Sequence, residues 1–266
     1  MLEVEAAFII LTKDQDQVFS IISELITNKG YNYNKNGIQI IHDTYFDTKY
    51  NLLKQTGIAL RIRNINEHFF KITLKILENS TEHYSKRIEI EDNYSKEGLM
   101  QIIMKLNSYL DLNLHNSSLN HFDNNPLVNL SRLGFKIILN KKTERKIVNA
   151  IDKISGKNYF EFVIDTTSYI FNNNYITIKE LEIESKILEN DLVLSQFVKE
   201  LKFKNEQFKY WPYNKLLTGK VLEELLYNNE LKENIDFDDK KILTLSGIEK
   251  VDLFIRYNQI KSNKTF

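Results

Sequence analysis

The chain has 266 residues, with 36 Lys and Arg against 36 Asp and Glu, so no net charge draws it as a whole to nucleic acid or an anionic membrane. It holds no cysteine, which excludes disulfides, zinc–thiolate sites and thiol catalysis. Hydrophobic residues make up 42% and charged residues 27%, the balance of a soluble globular chain, and no run reaches the roughly 20 apolar residues of a membrane span. The start runs straight into Leu2-Glu3-Val4-Glu5 without a basic stretch and apolar core, so no secretory leader is expected and the expected compartment is the cytoplasm.

Residues 3–11 read as a strand, and Asp14 to Asn28 as a helix whose Val18, Phe19, Ile21, Ile22, Leu25 and Ile26 form one apolar stripe, with Gly30 as its stop. From 37 to 91 the period becomes two, in Ile38–Ile41, Gly57–Arg63, Phe69–Lys75 and Ser85–Glu91, which predicts sequential antiparallel strands. A helix is expected over Lys96–Leu110, and the polar stretch Asp111–Asn125 reads as a loop or local insertion. Strand character resumes at 135–150, 159–169 and 175–184, followed by helices at Asp191–Leu201 and Lys215–Tyr227. The last segment is charged and lacks strong periodicity until Val251–Tyr257. With only two prolines and eight glycines there is no sign of an interdomain linker, so the expectation is an α+β domain over 1–228 and an appendage over 229–266 of undisclosed role.

Charge is sorted by strand face. Side chains alternate along a strand, so Glu3 and Glu5 share a face while Val4 and Phe8 take the other; Glu180, Glu182 and Glu184 repeat this against Leu181 and Ile183. Acids packed two residues apart repel, and a cation between them relieves the repulsion, so the two segments together form a candidate metal site; a solvated strand face is the plain alternative. Arg61 and Arg63 share a face, as do Lys71, Thr73 and Lys75, then Arg87, Glu89 and Glu91, then Lys141, Thr143 and Arg145, with Asp165 on another strand. If the helices cover the apolar faces, the charged faces point inward and the sheet closes into an eight-stranded antiparallel barrel with a charged lumen; a sandwich with wet outer faces stays open.

These segments also resemble a known family. The Glu3-x-Glu5 start, Tyr45-Phe46-Asp47-Thr48, Ala59-Leu60-Arg61-Ile62-Arg63, Thr73-Leu74-Lys75, Arg87-x-Glu89-x-Glu91 and Glu180-x-Glu182-x-Glu184 occur in the order seen in CYTH-domain proteins, the triphosphate tunnel metalloenzymes, over roughly residues 1–225. The resemblance implies an eight-stranded tunnel fold, a triphosphate-bearing substrate and a Mg²⁺ or Mn²⁺ cofactor. By motif, Glu3, Glu5, Glu180 and Glu182 resemble metal-holding acids, with Glu184, Asp165, Glu89 and Glu91 as partner acids. Arg61, Arg63, Lys75, Arg87 and Arg145 resemble triphosphate clamps, joined by Lys71 and Lys142, and Lys215 resembles a lysine that closes the tunnel. Arg61, Arg63, Lys75, Arg87, Glu89 and Glu91 form the expected catalytic set. Tyr45 and Asp47 read as structural, shaping the strand end before Leu52. The family's opening motif continues to a lysine where this chain has Ala7, in phase with Glu3 and Glu5, so one positive donor is missing.

The leading expectation is metal-dependent hydrolysis of a triphosphate, which asks for positioning and charge neutralisation rather than a separate nucleophile. Adenylate cyclisation and non-catalytic triphosphate binding are the alternatives, the latter motivated by Ala7. An RNA 5′ end stays open as a ligand and a second copy of the chain as a partner; general nucleic-acid and membrane binding are not expected. Other chemistry has little support. His42, His68, His83, His115 and His121 show no metal-ligand spacing, Gly219-Lys220 lacks the glycines of a P-loop, and no Gly-x-Ser-x-Gly elbow occurs.

Overall fold

The computed structural model describes residues 2–110, 122–172, 174–187, 191–204 and 206–263. In chain order it runs β1 (Leu2–Ile10), α1 (Gln15–Asn28), β2 (Asn32–Lys35), β3 (Gln39–Thr48), α2 (Leu52–Gln55), β4 (Ile58–Ile65), β5 (Phe69–Ser80) and β6 (Ser85–Asn93). There follow α3 (Lys96–Leu110), α4 (Pro126–Arg132), β7 (Phe135–Ile151), β8 (Asn158–Phe171) and β9 (Asn174–Ser185). The described chain ends with α5 (Asp191–Phe203), β10 (Phe208–Tyr210), α6 (Lys215–Tyr227) and α7 (Leu245–Asn263).

The strands pair in the order β1-β6-β5-β4-β3-β7-β8-β9, and β9 returns to β1. This closes the expected eight-stranded antiparallel barrel, with β2 added on β7 and β10 on β1. Closure removes the exposed edges that an open sheet would carry. The closing ladder sets Glu5 opposite Glu184 and Ala7 opposite Glu182, and on the other side of β1 Glu3 faces Arg87 of β6.

Two outer layers follow from the strand alternation. Val18, Ile22, Leu25 and Ile26 of α1 and Leu194, Phe197, Val198 and Leu201 of α5 cover Val4, Phe8, Phe160, Phe162, Leu181 and Ile183. On the other flank, Leu99, Ile102, Ile103 and Leu106 of α3 and Leu130 of α4 cover Leu60, Ile62, Ile72 and Leu74. Asp14 caps α1, its carboxylate accepting from the Asp16 and Gln17 amides.

The third cluster lies on the same strand phase as the charged residues. Ile9, Leu139, Tyr169, Ile176 and Ile178 pack with Val221, Leu222 and Leu225 of α6, so α6 stoppers that end of the barrel. Leu231, Phe237, Leu243, Ile248, Val251 and Ile255, from the segment past residue 229, belong to the same cluster. That segment also joins the sheet through Thr177, whose amide donates to the Lys241 carbonyl and whose carbonyl accepts from Leu243.

The short elements β2, α2, α4 and β10 were not foreseen, because a few residues of pairing carry too little pattern to read. Helix α7 covers the Val251–Tyr257 stretch where periodicity was read and begins six residues before it, at Leu245. The expected loop 111–125 lies outside the described residues up to 121. Among the described residues no helix is long and apolar enough to cross a membrane.

Candidate active site

A cavity of about 420 Å³ is lined by residues from β1, β3–β10 and the N-terminus of α6. The expected residues Glu3, Glu5, Arg61, Arg63, Lys71, Lys75, Arg87, Glu89, Glu91, Arg145, Glu182, Glu184 and Lys215 all reach its wall. Pleating explains the convergence: each motif places its charges two residues apart, and both members then point to the same side of the sheet.

The charges are cross-paired. Lys75 Nζ donates to both Glu3 oxygens at 2.7 and 2.8 Å and lies 3.3 Å from Glu89. Arg87 pairs with Glu5. Lys71 donates to Glu91 at 2.6 Å, and Thr73 donates to the other oxygen of the same carboxylate at 3.1 Å. Burial alone would raise Glu91, but the Lys71 bond and the charges of Lys71, Arg61 and Arg63 lower it overall.

Two of the expected carboxylates lie behind the wall. Asp165 takes two bonds from Arg145, at 2.8 and 2.7 Å, and a third from Lys215 at 2.5 Å. Its burial is opposed and outweighed by Arg145 and Lys215, which hold the carboxyl well below the usual range. Glu180 is also buried away from the wall, and its Oε2 has no hydrogen-bond partner among the described residues. Burial, with Glu182 and Asp165 nearby, pushes the Glu180 carboxyl up to about 7 against the opposing charge of Lys215. Glu184 reaches about 7 by burial too, despite Lys186 at 2.7 Å.

Asp165 and Glu180, expected among the metal-holding acids, therefore sit deeper than Glu182 and Glu184, toward the end closed by α6. There Arg145 and Lys215 cover Asp165. Lys142, expected among the clamps, is exposed and does not line the cavity, because it is one residue out of phase with Lys141 and Arg145.

Several site residues escaped sequence reasoning. Asp43 on β3 is 1% exposed and accepts two bonds from Arg63, at 2.8 and 3.0 Å, with Lys141 Nζ at 2.7 Å and Arg61 Nε at 3.7 Å. Burial would raise its carboxyl, yet the charges of Arg63, Lys141 and Arg61 hold it well below the usual range. Glu161 and Lys186 also line the wall; Lys186 is in phase with Glu184, and Glu161 with Asp165, so alternation carried the signal. Asp47 acts at the strand end, accepting from the Thr48, Leu53 and Lys54 amides and so capping α2.

Compared with known proteins, the chain matches the CYTH domain over residues 1–210. The chain belongs to the CYTH family. A Hippeastrum protein, described as an adenylyl cyclase candidate that reveals a dominant triphosphatase activity, is similar at 16% identity over 86% of this chain and 97% of its own, with a TM-score of 0.49. An adenylate cyclase candidate from Bacillus halodurans is 22% identical over 80% of this chain and 95% of its own, with a TM-score of 0.45. An RNA triphosphatase from S. pombe is 10% identical over 86% of this chain and 83% of its own, with a TM-score of 0.33. Among curated proteins none matches.

The donor chemistry of this CYTH site fits a hard divalent cation. Glu3, Glu5, Glu182 and Glu184 supply carboxylate oxygens from adjacent strands, and Glu180 holds a buried oxygen with no donor among the described residues. Among the described residues no three acids or histidines yet converge on one point, since Glu3, Glu5 and Glu182 are each drawn to a lysine or arginine.

Proposed function

We propose that this CYTH protein hydrolyses a triphosphate in the barrel cavity, with Mg²⁺ or Mn²⁺ as cofactor. One observation carries the reading: Arg61, Arg63, Lys71, Lys75, Arg87, Arg145 and Lys215 converge on a single 420 Å³ cavity that Glu3, Glu5, Glu89, Glu91, Glu161, Glu182 and Glu184 also line. A triphosphate brings several negative charges and many acceptor oxygens, and guanidinium and ammonium groups bind such oxygens with charge-assisted bonds. The size suits a small-molecule site.

In this reading the phosphate chain takes Lys75, Arg87, Lys71 and Arg145 away from their present carboxylate partners. Glu3 and Glu5, so released on β1, together with Glu180, Glu182 and Glu184 of β9, are the residues that would hold the metal. A divalent ion bound there would act as a Lewis acid toward the phosphate oxygens. In this reading Glu89 and Glu91, ion-paired to Arg61, Lys75 and Lys71 of β4 and β5, would accept a hydrogen bond from the attacking water. Arg61 and Arg63, fixed from behind by Asp43, neutralise charge developing on the terminal phosphoryl group without reorganising. The exclusion of thiol catalysis agrees with a route that needs no protein nucleophile.

The test is product release from tripolyphosphate, ATP and thiamine triphosphate, with Mg²⁺, with Mn²⁺ and with chelator, read by chromatography. Metal-dependent orthophosphate release is expected. Cyclic AMP with pyrophosphate would replace hydrolysis by cyclisation. Metal-dependent binding without any product, also in Ala7→Lys, would reduce the protein to a triphosphate-binding module.

A further inference from the structure

Outside the barrel lumen, a groove of about 920 Å³ separates the CYTH-matched part of the chain from the segment past residue 229. One wall is the end of β1 with the turn after it, residues 10–13, and β10 with Lys202 of α5. The other is Asp238 with the stretch 242–249 that leads into α7. The segment is fastened to the barrel side before and after that stretch. Thr177 of β9 exchanges backbone bonds with Lys241 and Leu243, and Lys209 Nζ of β10 lies 3.4 Å from Asp252 of α7. Between the two fastenings Leu245 borders the groove and is 51% exposed. Tyr210 is the one lining residue among those described that the groove shares with the barrel cavity.

Ile10, Phe208, Leu243, Leu245 and Ile248 give the groove an apolar lining. Four ammonium groups, of Lys13, Lys179, Lys202 and Lys209, line it beside three carboxylates, of Glu206, Asp238 and Glu249, which leaves one positive charge. Three of the lysines are engaged. Lys209 has Asp252, Lys13 lies 3.8 Å from Asp238, and Lys202 donates to the Glu82 carbonyl at 3.1 Å and covers the Tyr210 ring at 4.2 Å. Lys179 differs. It points outward from β9, opposite in phase to Glu180 and Glu182, and pairs across the strand with Thr166. It is half-buried, and among the described residues its ammonium has no hydrogen bond and no ion pair. Glu206 and Glu249 stand in water at the rim, where screening weakens their reach. A half-buried ammonium beside apolar side chains is stabilised by an anion brought to it, and more strongly than at an exposed site.

We propose that this groove is a second ligand site, for a small amphipathic monocarboxylate whose head pairs with Lys179 and whose apolar chain lies between β10 and α7. The volume is that of a small-molecule site, and apolar walls with one convergent charge suit a ligand of that kind. The excess of a single positive charge selects a single negative one, because a polyphosphate would meet Glu206, Asp238 and Glu249 as well. The site is independent of the chemistry proposed for the lumen.

Calorimetry on the full chain tests it, with decanoate as probe below the concentration at which it forms micelles. Saturable binding at one site is expected. Acetate, which has the head without the chain, should not bind, and decanol, which has the chain without the charge, should bind on the order of tenfold more weakly, the scale of one charge-assisted bond. Lys179→Met should weaken decanoate on the order of tenfold and leave decanol unchanged. Leu245→Glu, at an exposed position, should weaken both, and the melting midpoint without ligand shows whether each variant is folded. Tripolyphosphate should not displace decanoate. The proposal is overturned by the absence of saturable decanoate binding, or by decanoate affinity unchanged in both folded variants. Displacement by tripolyphosphate would move the ligand into the lumen and overturn it as well. So would a chain that sediments as a dimer and becomes a monomer in Leu245→Glu, since the groove would then hold a second copy.

Discussion

Asp43 shows how one carboxylate organises the basic side of the cavity. Three cations from two neighbouring strands converge on it. Removing one partner from a buried ionic cluster leaves the others uncompensated, which costs about 3–5 kcal/mol. Asp43→Ala is therefore expected to lower unfolding stability by that amount in urea titrations. The pH dependence has a definite sign. The folded carboxyl sits below its ordinary value of 3.8, so its stabilisation is complete above that pH and fades as the pH falls through it and below. Asp43→Asn should shrink the acid limb of a stability–pH curve without abolishing it, because Asp165 is depressed in the same direction by Arg145 and Lys215. An unchanged acid limb would contradict the ion-pair account. In the sequence Asp43 is a single acid between His42 and Thr44; only the approach of β4 and β7 gives it three partners.

At the scale of elements, α6 decides which end of the barrel is closed. Its contact with the barrel rests on Gly219, where an added Cβ would lie 2.5 Å from Leu139 Cδ2 and 2.7 Å from the Tyr169 ring. Overpacking at such a point costs typically about 1–3 kcal/mol. Gly219→Val should lower the thermal midpoint and shift Trp211 emission, because α6 and the turn before it must move together. A variant with native midpoint and emission would mean that the helix tolerates displacement. From sequence, Gly219 looks like a weak helix residue and nothing more, since its neighbours come from β7 and β8. The charged strands were legible for the opposite reason. Alternation of two is a local property, so Arg61/Arg63, Lys71/Lys75 and Arg87/Glu89/Glu91 could be assigned to one face without knowing their partners.

At the scale of the whole molecule, the barrel closes where β1 meets β9, through a pairing between the two ends of the CYTH segment. The segment past residue 229 contributes Leu231, Phe237, Leu243, Ile248, Val251 and Ile255 to the cluster that also holds Trp211 and the α6 side chains. A chain ending at residue 228 would leave that cluster facing water, at roughly 25 cal/mol per Å² of apolar surface uncovered. Such a chain is expected to melt at lower temperature and to bind hydrophobic dye more strongly than the full chain. Equal midpoints and dye binding would make the segment energetically an appendage.

The sequence by itself determined which residues share a face, which helices have an apolar stripe, and the ordered motifs that resemble CYTH proteins. Those features depend only on the repeat of strand and helix and on residue identity. The tertiary structure alone decided depth and partnership. It set Asp165 and Glu180 behind the wall rather than on it, gave Asp43 its three cations, and brought Lys215 to the carboxylate opposite Ala7. Depth along a barrel and charge pairing between strands arise from register and closure, and these join residues that the chain keeps far apart.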